Sequence, residues 1–495
     1  MPSILALDQG TTGSTALVIA HDGRVLGRGY REFTQFFPEP GWVEHDPEEI
    51  FRVTIEAGRE AVAAAGERPA GIGITNQRET IVLWDRRTLQ PVAPAIVWQD
   101  RRTSERCAEL RAGGHEASIR ERTGLVLDPY FSATKIEWLL HRLGKHPSLA
   151  VGTIDSWLIA RMSRGSAHVT DHTNASRTLL YNLKTREWDP ELLELFTIPP
   201  EILPRIVASS EVIAECDQEF FGSTLPIAGI AGDQQAALFG QGCVRAGMAK
   251  NTYGTGAFLL EHTGDERAHS ANGLLATIAC GPRGEPAYAL EGSVFIAGAA
   301  VQWLRDGLGL IASAEETAAL ANSVPDTGGV SFVPAFVGLG SPHWEAGARG
   351  TITGITRGTR RAHLVRAALE SMAWSSTDLV AAMAADASTA ISTLRVDGGA
   401  SANDWLMQFQ ADVLGIPVER PDMVETTALG AAGLAGMALG VWTSTEEFLA
   451  GRNFTVFEPN MAASTRAHLR REWDRAVSAS LVWARHSESE DLEKI

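Results

Sequence analysis

The chain has 495 residues, 44% of them hydrophobic, enough to bury the cores of more than one domain. Its 60 acidic and 43 basic residues leave a formal charge of −17, which argues against nucleic acid or an anionic membrane as a partner. The four cysteines (Cys107, Cys216, Cys243, Cys280) lie far apart without metal-ligand spacing and read as buried thiols of a reducing cytoplasm.

Residues 4–7 form an unbroken apolar run, as a strand buried on both faces requires. A strand that early leaves no room for a signal peptide. No stretch of about 18 uncharged apolar residues follows, so no membrane span is expected. The run stops at Asp8. A polar loop, Gln9-Gly10-Thr11-Thr12-Gly13-Ser14, then leads to a second apolar run over 16–20 and a third strand over 25–30. The loop is therefore expected at the tip of an antiparallel hairpin. It lacks the Gly-Lys-Ser/Thr tail of a Walker A loop. Gly10 and Gly13 let the backbone approach a ligand closely. Thr11, Thr12 and Ser14 offer hydroxyls and N–H groups to phosphate oxygens, and Asp8 is placed to take Mg2+ directly or through its waters. Alone, the pattern also fits a plain Gly/Thr hairpin turn.

A Pro/Gly-rich segment over 37–47 follows. Asp46-Pro47-Glu48-Glu49 then predicts an N-cap, a proline at the first helical position and acids in the first turn of a helix to about residue 65. A strand over 70–75 runs through Asn76-Gln77-Arg78-Glu79-Thr80 into another over 81–84. The Arg78-Glu79 pair is either a local salt bridge or a clamp for neighbouring hydroxyls, because Arg donates in a fork and Glu accepts. Trp98, just ahead of a helix, fits the carbon side of such a ligand or the core. Tyr130 sits at a turn before an amphipathic helix whose core face is Ile136, Leu139 and Leu140. Residues 168–178 are polar and rich in Thr and Asn, and are expected to loop over a cleft. A strand over 226–231 ends at Gly232-Asp233-Gln234-Gln235 and a helix. That puts Asp233 at the carboxyl end of a strand, where ligands of open α/β sheets collect. It reads as a plain N-cap or as a base that orients a hydroxyl in phosphoryl transfer.

The second half repeats the opening. A strand over 248–253, the turn Gly254-Thr255-Gly256 and a strand over 257–260 restate the hairpin. A strand over 288–291 precedes a helix carrying Gly298, Gln302 and Trp303, and a strand over 330–334 follows. A long helix covers 363–384. A strand over 394–397 runs into Gly398-Gly399-Ala400-Ser401-Ala402-Asn403, a backbone surface suited to an adenosine. A small-residue helix over 427–439 suits close helix packing, and a final amphipathic helix spans 462–485 before a charged, frayed tail. Two related α/β domains, residues 1–245 and 246–495, would thus face each other with both Gly/Thr turns in the cleft.

These residues resemble the FGGY carbohydrate kinases over essentially the whole chain. Residues 130–139, with Lys135 and Trp138 in place, are similar to the family's first signature. Residues 350–355 through His363-Leu364 to Glu370 are similar to its second. Residues 8–12, 41–47, 75–80 and 232–240 are typical of the members that act on glycerol. The resemblance implies two ribonuclease H-like domains of the actin/hexokinase type around a nucleotide cleft. It implies ATP-dependent phosphorylation of glycerol with Mg2+ at Asp8 and Asp233, in a cytoplasmic homodimer or homotetramer. By the same likeness Arg78, Glu79, Tyr130, Asp233 and Gln234 would hold the hydroxyls, Trp98 and Phe258 would line the carbons, and Asp233 would be the base. Thr11, Thr12, Gly13, Thr255, Gly298, Gln302, Gly399 and Asn403 would contact the nucleotide. The alternatives are a kinase for another polyol or sugar, of the xylulose or gluconate type, and a non-metabolic ATPase of the actin or chaperone kind. The sequence departs from the family at Thr15, where an Arg is common. It also departs at 215–225, where relatives inhibited by fructose 1,6-bisphosphate carry a Gly-rich loop with an Arg. Here there are three acids, and no Lys or Arg lies between Arg205 and Arg245. Bisphosphate inhibition is not expected.

Overall fold

The computed structural model describes residues 2–144 and 146–492. The opening hairpin forms as its pattern demands. Strand β1 (Ser3–Gln9) pairs antiparallel with β2 (Gly13–Ala20), which pairs with β3 (Val25–Glu32). Ile4, Leu5, Ala6 and Leu7 are all fully buried, so both faces of β1 are covered. Helix α1 (Pro47–Ala65) starts where its cap does: the Asp46 carboxylate accepts the Glu48 N–H at 2.9 Å. It ends at Gly66, left-handed at φ 66°. Strands β4 (Gly71–Asn76), β5 (Ser210–Cys216) and β6 (Leu225–Gly232) complete a six-stranded sheet in the order β5-β6-β4-β1-β2-β3. β4 runs parallel to both β1 and β6. Between β4 and β5 lies a smaller sheet around Ile81–Asp85, with helix α2 (Ser132–Leu143) packed on it. Helix α3 (Asp233–Gly240) leaves the end of β6.

The second sheet has the same plan. Strands β7 (Ala249–Tyr253), β8 (Ala257–Gly264), β9 (Leu275–Cys280), β10 (Pro286–Val294), β11 (Leu394–Asp397), β12 (Val418–Pro421) and β13 (Phe454–Phe457) order as β9-β10-β8-β7-β11-β12-β13. In both sheets three antiparallel strands (β1-β2-β3, and β7-β8-β10) are followed by two strands parallel to the first, with one more antiparallel strand beyond; the second sheet adds β9 at its edge, outside β10. This is the actin/hexokinase-type double fold. The sheets have separate cores. One is built on Leu5, Leu7, Val18, Ile72 and Ile74, the other on Leu259, Leu290, Leu394 and Val396 with helix α4 (Arg361–Asp386).

Helix α5 (Asp404–Leu414) belongs to the second core, but helix α6 (Thr426–Ala438) crosses back. Its Ala431, Ala432, Leu434 and Ala435 pack against Ile4, Ala6, Leu17 and Ile19 of the first sheet. α6 also packs on α3, where glycines are obligatory. A Cβ on Gly240 would lie 2.0 Å from the Thr426 carbonyl oxygen, and one on Gly430 1.9 Å from that of Ala236. The small-residue pattern of this helix thus serves the seam between the halves. The last helix, α7 (Ala463–Leu492), runs on into the charged tail; residues 493–495 lie outside the described residues. No described helix is long and apolar enough to cross a membrane.

Residues 168–178 are the main departure from expectation. They do not loop over a cleft. Residues 173–178 are all buried, beneath the strand ends that carry Arg78 and Asp233. Most of their polar groups are hydrogen-bonded to one another and to both sheets, Arg177 Nη1 being an exception, so polarity marks an internal network and not exposure.

Candidate active site

The strand ends of the first sheet meet the second half at one place. Asp8 is the last residue but one of β1, opposite Thr15 and level with Thr75 in register. Arg78 and Glu79 follow β4, with Glu79 held at φ 60°, an uncommon conformation for a side-chain residue. Asp233 opens α3, with Gly232 as the cap residue. Its carboxylate therefore caps no turn beyond the adjacent Gln234 N–H, at 2.7 Å. The Arg78 Nε stands 3.2 Å from Asp233 Oδ1.

Arg78 does not present a free fork. Its two terminal nitrogens donate to the carboxylate of Glu291, at 2.5 and 3.1 Å, and one also to Gln235 Oε1 at 3.3 Å. Glu79 accepts from Arg177 Nε at 2.6 Å, and Arg177 reaches Glu291 at 3.0 Å. All four charged side chains are buried. Burial pushes the Glu291 carboxyl up, but Arg177 and Arg78 outweigh it and bring it down to about 2. Burial lifts the carboxyls of Glu79 and Asp233, and the neighbouring guanidiniums only partly offset this. Lys250 on β7 is fully buried, donates to Gln234 Oε1 and, at 2.8 Å, to Thr252 Oγ1, and is pulled down to about 8 by burial. Three cations (Arg78, Arg177, Lys250) thus balance three carboxylates (Glu79, Asp233, Glu291).

Of the two residues expected to line the carbons, Trp98 packs on Tyr130, while Phe258 makes no ring contact with either among the described residues. Trp98 and Tyr130 meet edge to face at 5.5 Å, and the Trp98 Nε1–H donates to Thr11 Oγ1 at 3.0 Å. That bond joins Trp98 to the first Gly/Thr turn. Tyr130 is fixed from behind by the buried Lys135, whose ammonium donates to its carbonyl at 2.6 Å. Phe258, half-buried on β8, lies opposite Thr252 in register, and its carbonyl receives Lys250 Nζ at 3.5 Å. The remaining residues expected to contact the nucleotide fall in three groups. Thr12 and Gly13 cap the first hairpin, where the Gly10 N–H donates to the Gly13 carbonyl at 2.9 Å. Thr255 and Gly298 meet at the second: the Gly298 N–H donates to the Gly254 carbonyl at 3.0 Å, and a Cβ on Gly298 would fall 2.6 Å from that oxygen. Gln302 lies exposed one turn further along. Gly399 stands in open space after β11, while the Asn403 side chain accepts the Leu406 N–H and donates to Thr317 Oγ1, capping α5.

Sequence reading missed Arg177, Gln235, Lys250 and Glu291. Only Gln235 lay within a quoted motif; the others sit in segments read as loop or ordinary strand. Segment 215–225 also differs from its reading. Arg164 pairs with Asp217 at 3.3 Å and with Glu219, and Arg59 and Arg68 donate to the carbonyls of Phe220, Glu219 and Thr224. Cations do reach it from other segments, each already engaged.

Asp8 and Asp233 are the carboxylates expected to take Mg2+. No group of three or more His, Cys, Asp or Glu side chains converges among the described residues. Asp8 has no hydrogen bond or ion pair among them, and burial followed by the charge of Asp233 pushes its carboxyl up to about 7. Beside a balanced set of six charges it is the one uncompensated carboxylate, and a divalent cation suits that excess.

The arrangement has relatives. Residues 3–240 match the model of the FGGY family of carbohydrate kinases, N-terminal domain, and 249–439 that of its C-terminal domain. The chain is 57% identical over 494 residues to the glycerol kinase of Trichlorobacter lovleyi, covering 98% of this chain and 100% of that one. It is 54% identical to glycerol kinase 2 of Thermotoga maritima, covering 98% and 99%. Among solved structures, Plasmodium falciparum glycerol kinase with ADP superposes with a TM-score of 0.92 at 36% identity, covering 97% of this chain and 98% of that one. Gluconate kinase from Lactobacillus acidophilus, at 21% identity and a TM-score of 0.88 over 98% of both chains, shares the fold. With two matching halves, a seam of strand ends and full-length relatives, the chain belongs to the FGGY family of carbohydrate kinases.

Proposed function

We propose that the protein transfers the γ-phosphoryl group of ATP to a terminal hydroxyl of glycerol, giving sn-glycerol 3-phosphate and ADP. The observation that carries this reading is identity of 54–57% over essentially the full length to relatives named glycerol kinase. The site supports it. A three-carbon polyol would lie against Trp98, Tyr130 and Phe258, with its hydroxyls toward Arg78, Glu79 and Gln234. Asp233 would take the proton of the attacking oxygen. Burial makes it a stronger base than an exposed Asp, while Arg78 keeps it within reach of ionisation. The base in phosphoryl transfer mainly orients the nucleophile, which is within the means of a carboxylate. ATP would be held from both sides, by Thr11, Thr12 and Gly13 on one half and by Thr255, Gly298, Gln302, Gly399 and Asn403 on the other. Asp8 and Asp233 would hold Mg2+, which supplies neutralisation of the phosphate charge.

The test is a coupled assay of ADP release with purified protein, comparing glycerol with xylulose, gluconate and no acceptor. The reading predicts kcat/KM for glycerol well above that for either sugar. Preference for a sugar, or equal ADP release without any acceptor, would overturn it.

A further inference from the structure

Arg177 and Glu291 are both 0% exposed, slightly deeper than Arg78 at 3% and Glu79 at 1%. The two deeper residues hold the two that the glycerol reading uses. The Glu291 carboxylate accepts from Arg78 at 2.5 and 3.1 Å and from Arg177 at 3.0 Å, and Arg177 Nε donates to Glu79 at 2.6 Å. Arg78, Glu79 and Arg177 belong to the first half of the chain. Glu291 belongs to β10 of the second.

The segment that supplies Arg177 is tied down on every side. The Gly232 N–H, just before Asp233, donates to Thr173 Oγ1 at 2.8 Å. Asn174 and Asn76 exchange amide hydrogen bonds at 3.0 and 3.1 Å. The Ser176 hydroxyl bonds that of Thr277 at 2.9 Å and accepts the Ile278 N–H at 3.3 Å. One buried strap therefore joins two strand ends of the site to the interior of β9 across the seam.

We propose that Glu291, acting with Arg177, is a positioning pair that sets the aim of Arg78 and Glu79, so that the polyol clamp is built by both halves and is complete only when they are docked. This rests on the glycerol reading above. The physical reason is charge. Arg78 and Arg177 share one carboxylate, and without its charge two guanidiniums would face each other in a buried space. Arg78 would then turn toward Asp233 or Glu79 and no longer face the hydroxyls. The nucleotide turns at Thr11–Gly13 and Thr255 share no hydrogen bond with Glu291 or Arg177, so they would not feel the change.

Glu291→Gln keeps the shape and an acceptor oxygen while removing the charge. The expected result is a rise of about tenfold or more in KM for glycerol, the loss typical of a charge-assisted hydrogen bond, with KM for ATP within about twofold. Arg177→Lys, which keeps the charge without the fork, should raise the glycerol KM less and also spare that for ATP. A folded Glu291→Gln protein with an unchanged glycerol KM, or with both KM values rising together, would overturn the proposal in favour of a purely structural pair. Failure of the wild type to turn over glycerol would instead condemn the functional reading. If neither variant folds, hydrogen exchange on the wild type decides. Glycerol alone, without nucleotide, should slow exchange at 286–294 of the second half as well as at 76–80. Protection confined to the first half would refute a shared clamp.

Discussion

Glu261 is a carboxylate in the wrong surroundings for its charge. It lies on β8 beside Ala249 and Leu290 in register, is 1% exposed, and neither carboxylate oxygen has a hydrogen-bond partner. Burial alone pushes its carboxyl from 4.5 up to about 7. The sign follows from linkage. Below pH 4.5 both folded and unfolded chains carry the proton, and the group costs nothing. Above it the unfolded chain ionises while the folded one does not, so stability falls with rising pH until about pH 7 and then levels off. A shift of that size amounts to about 3 kcal/mol above pH 7 and under about 1 kcal/mol at pH 5. Glu261→Leu removes the cost, so its stabilisation should be roughly 2 to 3 kcal/mol greater at pH 8 than at pH 5. For a cooperative unit of about 250 residues that is roughly 5 °C in Tm. Thermal melts of wild type and variant at both pH values measure it. An equal gain at pH 5 and pH 8 would show that Leu merely packs better and that the wild-type carboxyl finds a partner.

Asp233→Asn should cut turnover by about 10²-fold or more, as for loss of a positioned base, while calorimetry shows nucleotide binding nearly intact. Near-normal turnover would refute its role. Gly298→Ala should raise KM for ATP more than that for glycerol, because the new Cβ would fall 2.6 Å from the Gly254 carbonyl and force the second turn aside. An unchanged ATP KM would remove that turn from the nucleotide site. Millimolar fructose 1,6-bisphosphate should leave the rate unchanged, since Arg59, Arg68 and Arg164 near segment 215–225 are already bonded to carbonyls or acids. Saturable inhibition at matched ionic strength would contradict this.

Much of the architecture was legible because it is local. The hairpins at Gly10–Gly13 and Gly254–Gly256 show as apolar runs broken by a turn, and the pairing of Asp8 with Thr15 follows from that turn. The Asp46-Pro47 start of α1 is written in its capping chemistry. The small residues of 426–438 announced close packing, but not that the helix would cover the first sheet, since nothing in a helix names its distant partner. Asp8, Asp233 and Arg78 were legible as residues at or next to strand ends. Their partners were not. Glu291 sits inside a strand and Arg177 inside a polar stretch, and only the fold brings them within 3.0 Å, across 114 positions of sequence. The polarity of 168–178 was misread as exposure because a polar segment satisfied internally has the same composition as a solvated one. Asn403 shows the same ambiguity: its amide bonds serve the cap of α5 in this structure.

The most direct test of glycerol phosphorylation at the Asp233 seam is a rapid-quench single turnover with ATP labelled in its γ-phosphate. With glycerol present, the account predicts that the label appears in sn-glycerol 3-phosphate, at a rate that collapses in Asp233→Asn. Label released as inorganic phosphate at the same rate with and without glycerol would contradict it.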